Sequence, residues 1–377
     1  MPLRVLIIPD KFKGTLTAQA AAVAIARGWR SARPRDSLDL LPMTDGGDGF
    51  GELTRALLKA RTRRVKTVDA AHRPRATRWW WEPRTRTAII ESAGVIGLAA
   101  LPHGRFHPFQ LDTQGLGAVV SAALRSGADR CLLGLGGSAT NDGGFGLARA
   151  LGWKFLDRNG QPIMRWTNLD RLERIGVPQR RRRFEQLLVA TDVQNPLLGP
   201  RGATRVFGPQ KGLRARDFGL AERCLGRLAR VVRRQFGCDA ARVPGAGAAG
   251  GLGFGLMAFL GARLQPGFDL FARHAALERH LRAADLVVTG EGAIDRSTLM
   301  GKGVGRIARR CRELNLPCIG LAGLVHPSRG IEQHFVRTHA VTSLTTVQQA
   351  NACPARWLEQ LARQVARSLD KRAPEKP

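Results

Sequence analysis

The sequence has no tyrosine, and its ring side chains are 15 phenylalanines, seven tryptophans and eight histidines in 377 residues. Any base stacked by this chain must therefore meet Phe, Trp, His or Arg. Acidic residues are scarce, 30 against 60 lysines and arginines, for a formal net charge of +30 and a pI of about 11.6. None of the six cysteines (Cys131, Cys224, Cys238, Cys311, Cys318, Cys353) falls in a CxxC pair. That excludes a zinc ribbon and a disulfide scaffold and fits a reducing, cytoplasmic setting. The N-terminus, MPLRVLIIPDKFKG, lacks a signal-peptide core, and no apolar run is long enough to span a bilayer, so no membrane partner is expected. There is no GxSxG nucleophile elbow either.

A basic excess raises nucleic-acid binding. The basic residues are mostly arginines spread along the chain, and the one dense run, Arg180-Arg181-Arg182-Arg183, sits beside Pro178 where a surface loop is expected. No aromatic residues interleave with it. The charge therefore reads as a solvated surface with weak, salt-sensitive polyanion binding and no specific nucleic-acid partner.

What the chain has in quantity is strand–loop–helix units. Leu3 to Ile8 is an apolar run bounded by Pro9 and Asp10, the pattern of a parallel strand buried on both faces. Thr17 is placed to cap a helix from Ala18 to Arg30. Leu38–Leu41 is a second strand, ending in PMTDGGDGF ahead of a helix from about Gly51 to Lys59. From Val65 the character changes. Val65–Val68, Ala76–Trp81 and Thr87–Ile90, split by Pro74 and Pro83, read as an antiparallel meander, with Trp79-Trp80-Trp81 as packing at a domain edge. A helix over Asp112–Ser126 precedes the strand Cys131–Leu133, and Leu187–Ala190 is another strand. Asp285–Thr289, Pro317–Leu321 and Ala340–Leu344 return to the parallel-strand pattern before a terminal helix, Ala355–Leu369. The fold class is α/β. A discontinuous outer domain of residues 1–65 and 275–377 is expected, interrupted by a second α/β domain, 66–274, that carries the β-rich segment.

The loops at the strand ends carry the chemistry. GLGGSATNDGGFG, Gly134 to Gly146, turns from a strand into a short helix, where unpaired N–H groups and the helix dipole would favour an anion. The alternative is a strand-to-helix turn with an Asp N-cap. PGAGAAGGLGFG contains GxGxxG at Gly245, Gly247 and Gly250, but no strand precedes it. A dinucleotide fingerprint needs one, so a glycine turn opening the helix Leu252–Leu260, close-packed or cradling phosphate, accounts for it better. Gly301-Lys302 is not a Walker motif, because Arg296 occupies the first glycine's place.

Asp10, Asp45, Asp48, Asn141, Asp142, Asp192, Asn195, Glu291 and Asp295 stand at strand ends with Lys11, Lys13, Lys211 and Lys302 close by. Hard oxygen ligands, cations and N–H groups are what Mg²⁺-assisted phosphoryl transfer requires. The candidates are Asp192, Asp45 and Lys13 for catalysis, with Asp192 ahead of Asp45 as base, and Asp142, Asp48, Glu291 and Asp295 for the metal. Gly136, Gly137, Ser138, Thr140, Asn141, Gly247, Gly250, Lys211 and Lys302 are the candidates for binding ATP.

PDKFKG, PMTDGGDG, GLGGSATNDGG, TDVQNPLLGPRGA, VFGPQKG, PGAGAAGGLGFG and TGEGAIDRSTLMGKG occur in this order. Together they resemble the bacterial glycerate kinase family, which includes the enzymes of glyoxylate, glucarate and galactarate use. The resemblance runs from about Val5 to Gly323. It implies ATP- and Mg²⁺-dependent phosphorylation of D-glycerate, usually to 2-phosphoglycerate, by a flavodoxin-like domain interrupted by a second domain. A kinase of another small hydroxy acid, or one forming 3-phosphoglycerate, is the alternative, and a basic nucleic-acid-binding protein a remote one. A homodimer is compatible with the sequence. Three positions depart from the family pattern: Lys11 for Ser, Asp48 for Glu, and Ala293 for Arg. Lys11 could supply the cation lost at Ala293 if their loops are neighbours.

Overall fold

The computed structural model describes residues 1–12, 14–179, 182–301, 303–326 and 329–369. The chain forms two compact units. One is Met1–Asp45 with the chain from Phe268 onward, and the other is Gly46–Gly267.

The strands of the first unit are Arg4–Pro9, Ser37–Leu40, Leu286–Ile294, Cys318–Val325 and Arg337–Ala340. All pairings are parallel, and in chain order the strands lie 2-1-3-4-5 across the sheet, the flavodoxin-like order. The first strand is central, paired with Leu286–Ile294 on one edge and Ser37–Leu40 on the other. Its apolar run follows from that: Val5, Leu6, Ile7 and Ile8 are all buried. The helix Ala18–Ala32 begins at Thr17, whose side chain accepts from Ala20 N at 3.1 Å. Its alanines permit close packing on the terminal helix, Pro354–Leu369. Nearest is Gly28, where a Cβ would lie 2.0 Å from the Glu359 carbonyl oxygen.

The second unit holds a mixed six-stranded sheet in the spatial order Arg263–Gln265, Gln186–Ala190, Arg130–Gly134, Thr87–Glu91, Pro74–Glu82, Arg61–Val68. The first four strands are parallel, and the last two add an antiparallel edge, so the expected meander is the edge of a parallel sheet. Trp79 and Trp80 are buried on its two faces. The helix Ala215–Phe236 buries Ala221, Cys224, Leu225, Leu228, Val231 and Val232 along one stripe, which leaves its arginines to the outer face.

Three expectations are corrected. The unit boundaries fall at 45/46 and 267/268, not at 65/66 and 274/275. The helix Phe50–Leu58 and the strand Arg61–Val68 pack in the second unit's sheet, while Asp269 pairs with Arg306 of the first unit. The strand expected to stop at Thr289 continues to Ile294, because Glu291 and Ala293 keep pairing with Ala322 and Leu324. The last strand ends at Ala340, and Val341–Ser343 is a 3₁₀ turn. Arg180 and Arg181 of the basic run lie outside the described residues.

Because Gly28 has no room for a methyl group, Gly28→Ala is expected to cost about 1–3 kcal/mol by overpacking two helices. The urea midpoint measures it, and an unshifted midpoint would mean the helices separate freely.

Candidate active site

In a sheet of order 2-1-3-4-5, connections leave in opposite directions from strands 1 and 3, which opens a crevice at their carboxyl ends. In the first unit that crevice lies beyond Pro9 and Gly290, and Asp10 stands in it, its N–H donating to the Gly290 carbonyl at 2.8 Å. Asp10 is 9% exposed. Burial, with the charges of Asp45 and Glu291, pushes its carboxyl up to about 7, against the Lys11 N–H and ammonium. The Lys11 N–H donates to Asp10 Oδ1 at 2.7 Å, and Lys11 Nζ reaches Asp45 Oδ1 at 3.4 Å. Glu291, buried, accepts from the Thr298 hydroxyl at 2.7 Å, and that hydroxyl accepts from Asp295 N at 3.1 Å. Asp295 Oδ1 in turn accepts from Ser297 N at 2.7 Å. Asp45, Glu291 and Asp295 are thus all placed on carboxyl-end segments of one sheet. Lys13 and Lys302 lie outside the described residues.

In the second unit the glycines make backbone stack on backbone. A Cβ on Gly136 would meet Gly47 Cα at 2.8 Å, and one on Gly46 would meet Ala190 Cβ at 2.8 Å. Gly137 adopts φ +57°, with Asp48 Oδ1 2.7 Å from where its Cβ would be. Glu91, at the end of its strand, accepts from Gly49 N at 2.8 Å and Gly51 N at 3.1 Å, and so fixes the 46–51 loop. Burial, with Asp48 and Glu52 adding to it, raises the Glu91 carboxyl against those two N–H bonds.

The helix after GLGGSATND is Phe145–Ala150, and its N-terminal donors are occupied by the protein itself. Asp142 Oδ2 accepts from Gly146 N at 2.9 Å, Thr113 N at 3.0 Å and the Thr113 hydroxyl at 2.8 Å. That hydroxyl accepts from Leu147 N at 2.9 Å. Asp142 has no exposed surface, and burial, with Asp112, pushes its carboxyl up to about 6. The expectation that Asp142 holds a metal is therefore corrected: it caps a helix, and the cap replaces the anion site expected there.

A different group holds the preceding residues of the same loop. Lys211 closes the helix Ala203–Lys211 and is 6% exposed. Its Nζ donates to Ser138 Oγ at 3.0 Å and to the Thr140 carbonyl at 2.7 Å. Burial lowers the ammonium to about 7, with Asp142 acting against the shift. Asn141 Nδ2 donates to Thr204 Oγ1 at 3.1 Å, while Asn141 Oδ1 and Thr140 Oγ1 are buried without a partner.

Gly250, at φ +69°, would place a Cβ 1.9 Å from the Thr140 carbonyl, and Gly247 one 2.3 Å from the Pro196 carbonyl. Of the two accounts of this turn, the contacts support close packing. Asp192 is exposed and accepts from Gly267 N at 3.1 Å. His103 and His107, four apart in sequence, lie on irregular chain, and His107 meets Asp217 at 3.2 Å. Among the described residues no three His, Cys, Asp or Glu side chains gather closely enough to hold a metal ion. Of the four expected metal ligands, Asp48 and Asp142 belong to the second unit and Glu291 and Asp295 to the first.

Among the residues that matter, Glu91, Thr113 and Thr298 carry no signal in the sequence beyond standing near strand or helix ends. Asp10 stands among the strand-end acids, but its burial against Asp45 and Glu291 depends on strand order.

Carboxylates and hydroxyls in the first unit, and hydroxyls with a buried lysine in the second, thus stand on carboxyl-end loops of parallel strands. The model of the "Glycerate kinase family" matches residues 5–370. The chain belongs to the glycerate kinase family, and its members are kinases. It is 36% identical to the glycerate kinase of Halalkalibacterium halodurans over 96% of this chain and 97% of that one. To the glycerate 2-kinase of Escherichia coli K12 it is also 36% identical, over 92% and 93% of the two chains. A crystal structure assigned as glycerate kinase 2 of Salmonella typhimurium LT2 superposes with a TM-score of 0.84 at 33% identity, covering 98% of this chain and 99% of that one.

Two outcomes follow. Asp142→Ala is expected to lose about 2–4 kcal/mol of stability, since it leaves buried N–H and hydroxyl donors without an acceptor. A denaturation midpoint equal to the parent's would remove Asp142 from the capping role. Asp10 binds its proton more tightly folded than unfolded, so the stability it contributes is complete below pH 4 and is lost as pH rises through 7. Asp10→Asn is therefore expected to exceed the parent by about 1–3 kcal/mol at pH 8, with the gap closing towards pH 4. Melting curves across that range test it, and a variant less stable at pH 8 would contradict the assigned burial cost.

Proposed function

We propose that the chain is a D-glycerate kinase that uses ATP and Mg²⁺ and forms 2-phosphoglycerate. The observation that carries this reading is end-to-end similarity to glycerate kinases at 36% identity. A small polar acceptor suits loops rich in short side chains and backbone donors.

Each residue has a role in this proposal. Asp192, one carboxylate oxygen oriented by the Gly267 N–H, takes the proton of the attacking hydroxyl. Asp45 is the second choice, and its pairing with Lys11 fits a positioning role better. Lys211 holds the 138–140 segment in shape through Ser138 and Thr140, and an anion bound at that loop would favour its protonated form. Lys11 follows the first strand and Ala293 lies on the adjacent one, so Lys11 can supply charge on the side where Arg is absent.

The donor set fits Mg²⁺. Asp10, Asp45 and Glu291 are hard oxygen donors; burial raises Asp10 and the charges of Asp45 and Glu291 add to it, and a divalent cation would relieve that repulsion. With no three-residue cage among the described residues, one or two of these carboxylates and the phosphates themselves would hold it. When bound, it would neutralise charge developing on the transferred phosphoryl group.

Proton-coupled phosphorus NMR of the product from Mg-ATP and D-glycerate is the test. A doublet is expected, because a phosphate on carbon 2 couples to one proton. A triplet would reassign the acceptor hydroxyl, and no transfer by folded protein would overturn the substrate. Asp192→Asn is expected to lower kcat by about 10²–10⁴-fold while folding normally. If it turns over as the parent does, the base is not Asp192.

A further inference from the structure

A second feature lies at the other end of the second unit. The helix Gly115–Arg125 runs back antiparallel to the parallel strands. Arg125 and Ser126 therefore lie at the amino ends of strands Thr87–Glu91 and Arg130–Gly134, away from the loops that follow Glu91, Gly134 and Ala190. There, Arg63, Arg64, Trp79, Trp81, Arg125 and Ser126 line a cavity of about 430 Å³. Arg63 stands directly opposite Trp79 in the antiparallel pair, so its guanidinium and the indole share a face.

The charge in this cavity is uncompensated. No acidic side chain lines it. Among the described residues Arg63, Arg64 and Arg125 make no ion pair and no side-chain hydrogen bond, whereas the nearby Arg78 and Arg86 pair with Glu52 and Asp129. Arg125 is not needed as a helix cap either. Ser126 N donates to the Ala122 and Ala123 carbonyls and Gly127 N to that of Leu124, so the chain satisfies that helix end itself. Arg63 and Arg125 stand at this cavity without an anion, Arg64 pointing to the other face of the sheet beside Arg78, and guanidinium groups beside an apolar wall suit a phosphate whose carbon skeleton rests on that wall. A volume of this size matches a small metabolite.

We propose that this cavity is a second binding site, for a small phosphate-bearing molecule, with the phosphate on Arg63 and Arg125 and the remainder against Trp81, the partly exposed indole. It is separate from the kinase loops and does not depend on the glycerate assignment. It also gives part of the +30 charge a use.

The test is calorimetric titration of the full chain at physiological ionic strength with inorganic phosphate, pyrophosphate and 2-phosphoglycerate. The parent is compared with Arg63→Gln/Arg125→Gln and with Arg125→Gln alone. Saturable binding is expected, weakened about tenfold or more in the double variant. Because the three arginines are exposed, both variants should melt like the parent, and their kinase turnover should be unchanged. Tighter binding of the ester than of phosphate would place a carbon skeleton on the Trp81 indole. Phosphate and pyrophosphate alone binding would make it a free-anion site of the same chemistry. Equal affinity in parent and variants, or heats that do not saturate and vanish with added salt, would overturn the proposal.

Discussion

The second unit depends on backbone reaching backbone without a side chain between. Where Gly136 faces Gly47, Gly250 faces the Thr140 carbonyl and Gly144 faces Gly255, a methyl group would fall 2.8 Å, 1.9 Å and 2.9 Å from main-chain atoms. These approaches press three separate segments of sequence into one layer over the strand ends. Main chain packed this tightly leaves little space for water, so the polar groups in it must find partners within the protein. That is why Asp142, Thr113 and Lys211 are buried together with their hydrogen bonds, and why the two unpartnered atoms there, Thr140 Oγ1 and Asn141 Oδ1, stand out.

The two units handle charge differently at their strand ends. In the first, Asp10 is buried with Asp45 and Glu291 adding their charge, so it resists ionising. In the second, a lysine is enclosed among hydroxyl and carbonyl oxygens and resists protonation. Both arrangements oppose the folded state at neutral pH and favour a charged partner, the usual relation between a binding site and the stability it sacrifices. Away from these sites the cost is avoided. The arginines of Ala215–Phe236 face outward, and Asp36 is met by Arg33, the Trp29 indole and the Leu3 N–H.

Much of the fold was legible because each buried parallel strand is a short apolar run with a polar loop behind it. Leu3–Ile8 announced a central strand, and the interruption of one domain by another followed from where such runs cluster. The order of the strands was not legible, since local pattern does not encode which edges pair. The boundaries failed for the same reason: Arg61–Val68, with four basic residues in eight, looks like a linker until it is paired with Pro74–Glu82. At the site, residue types pointed to the right loops but not to individual duties. Asp142 reads as a metal ligand or as a cap with equal ease in GSATNDGG, and only the Thr113 N–H and hydroxyl, 29 positions away, decide between them. Glu91 and Thr298 act through partners that no spacing rule connects to them.

The interrupted first unit also sets an order of events during synthesis. The strand Arg4–Pro9 leaves the ribosome before the inserted unit, and Ser37–Leu40 can cover one of its edges soon after. Its other edge belongs to Leu286–Ile294, which emerges only after all of Gly46–Gly267. A chain that grows from its N-terminus thus completes its inserted unit while the apolar Val5–Ile8 segment waits half-paired, open to chaperones and to like segments on neighbouring nascent chains.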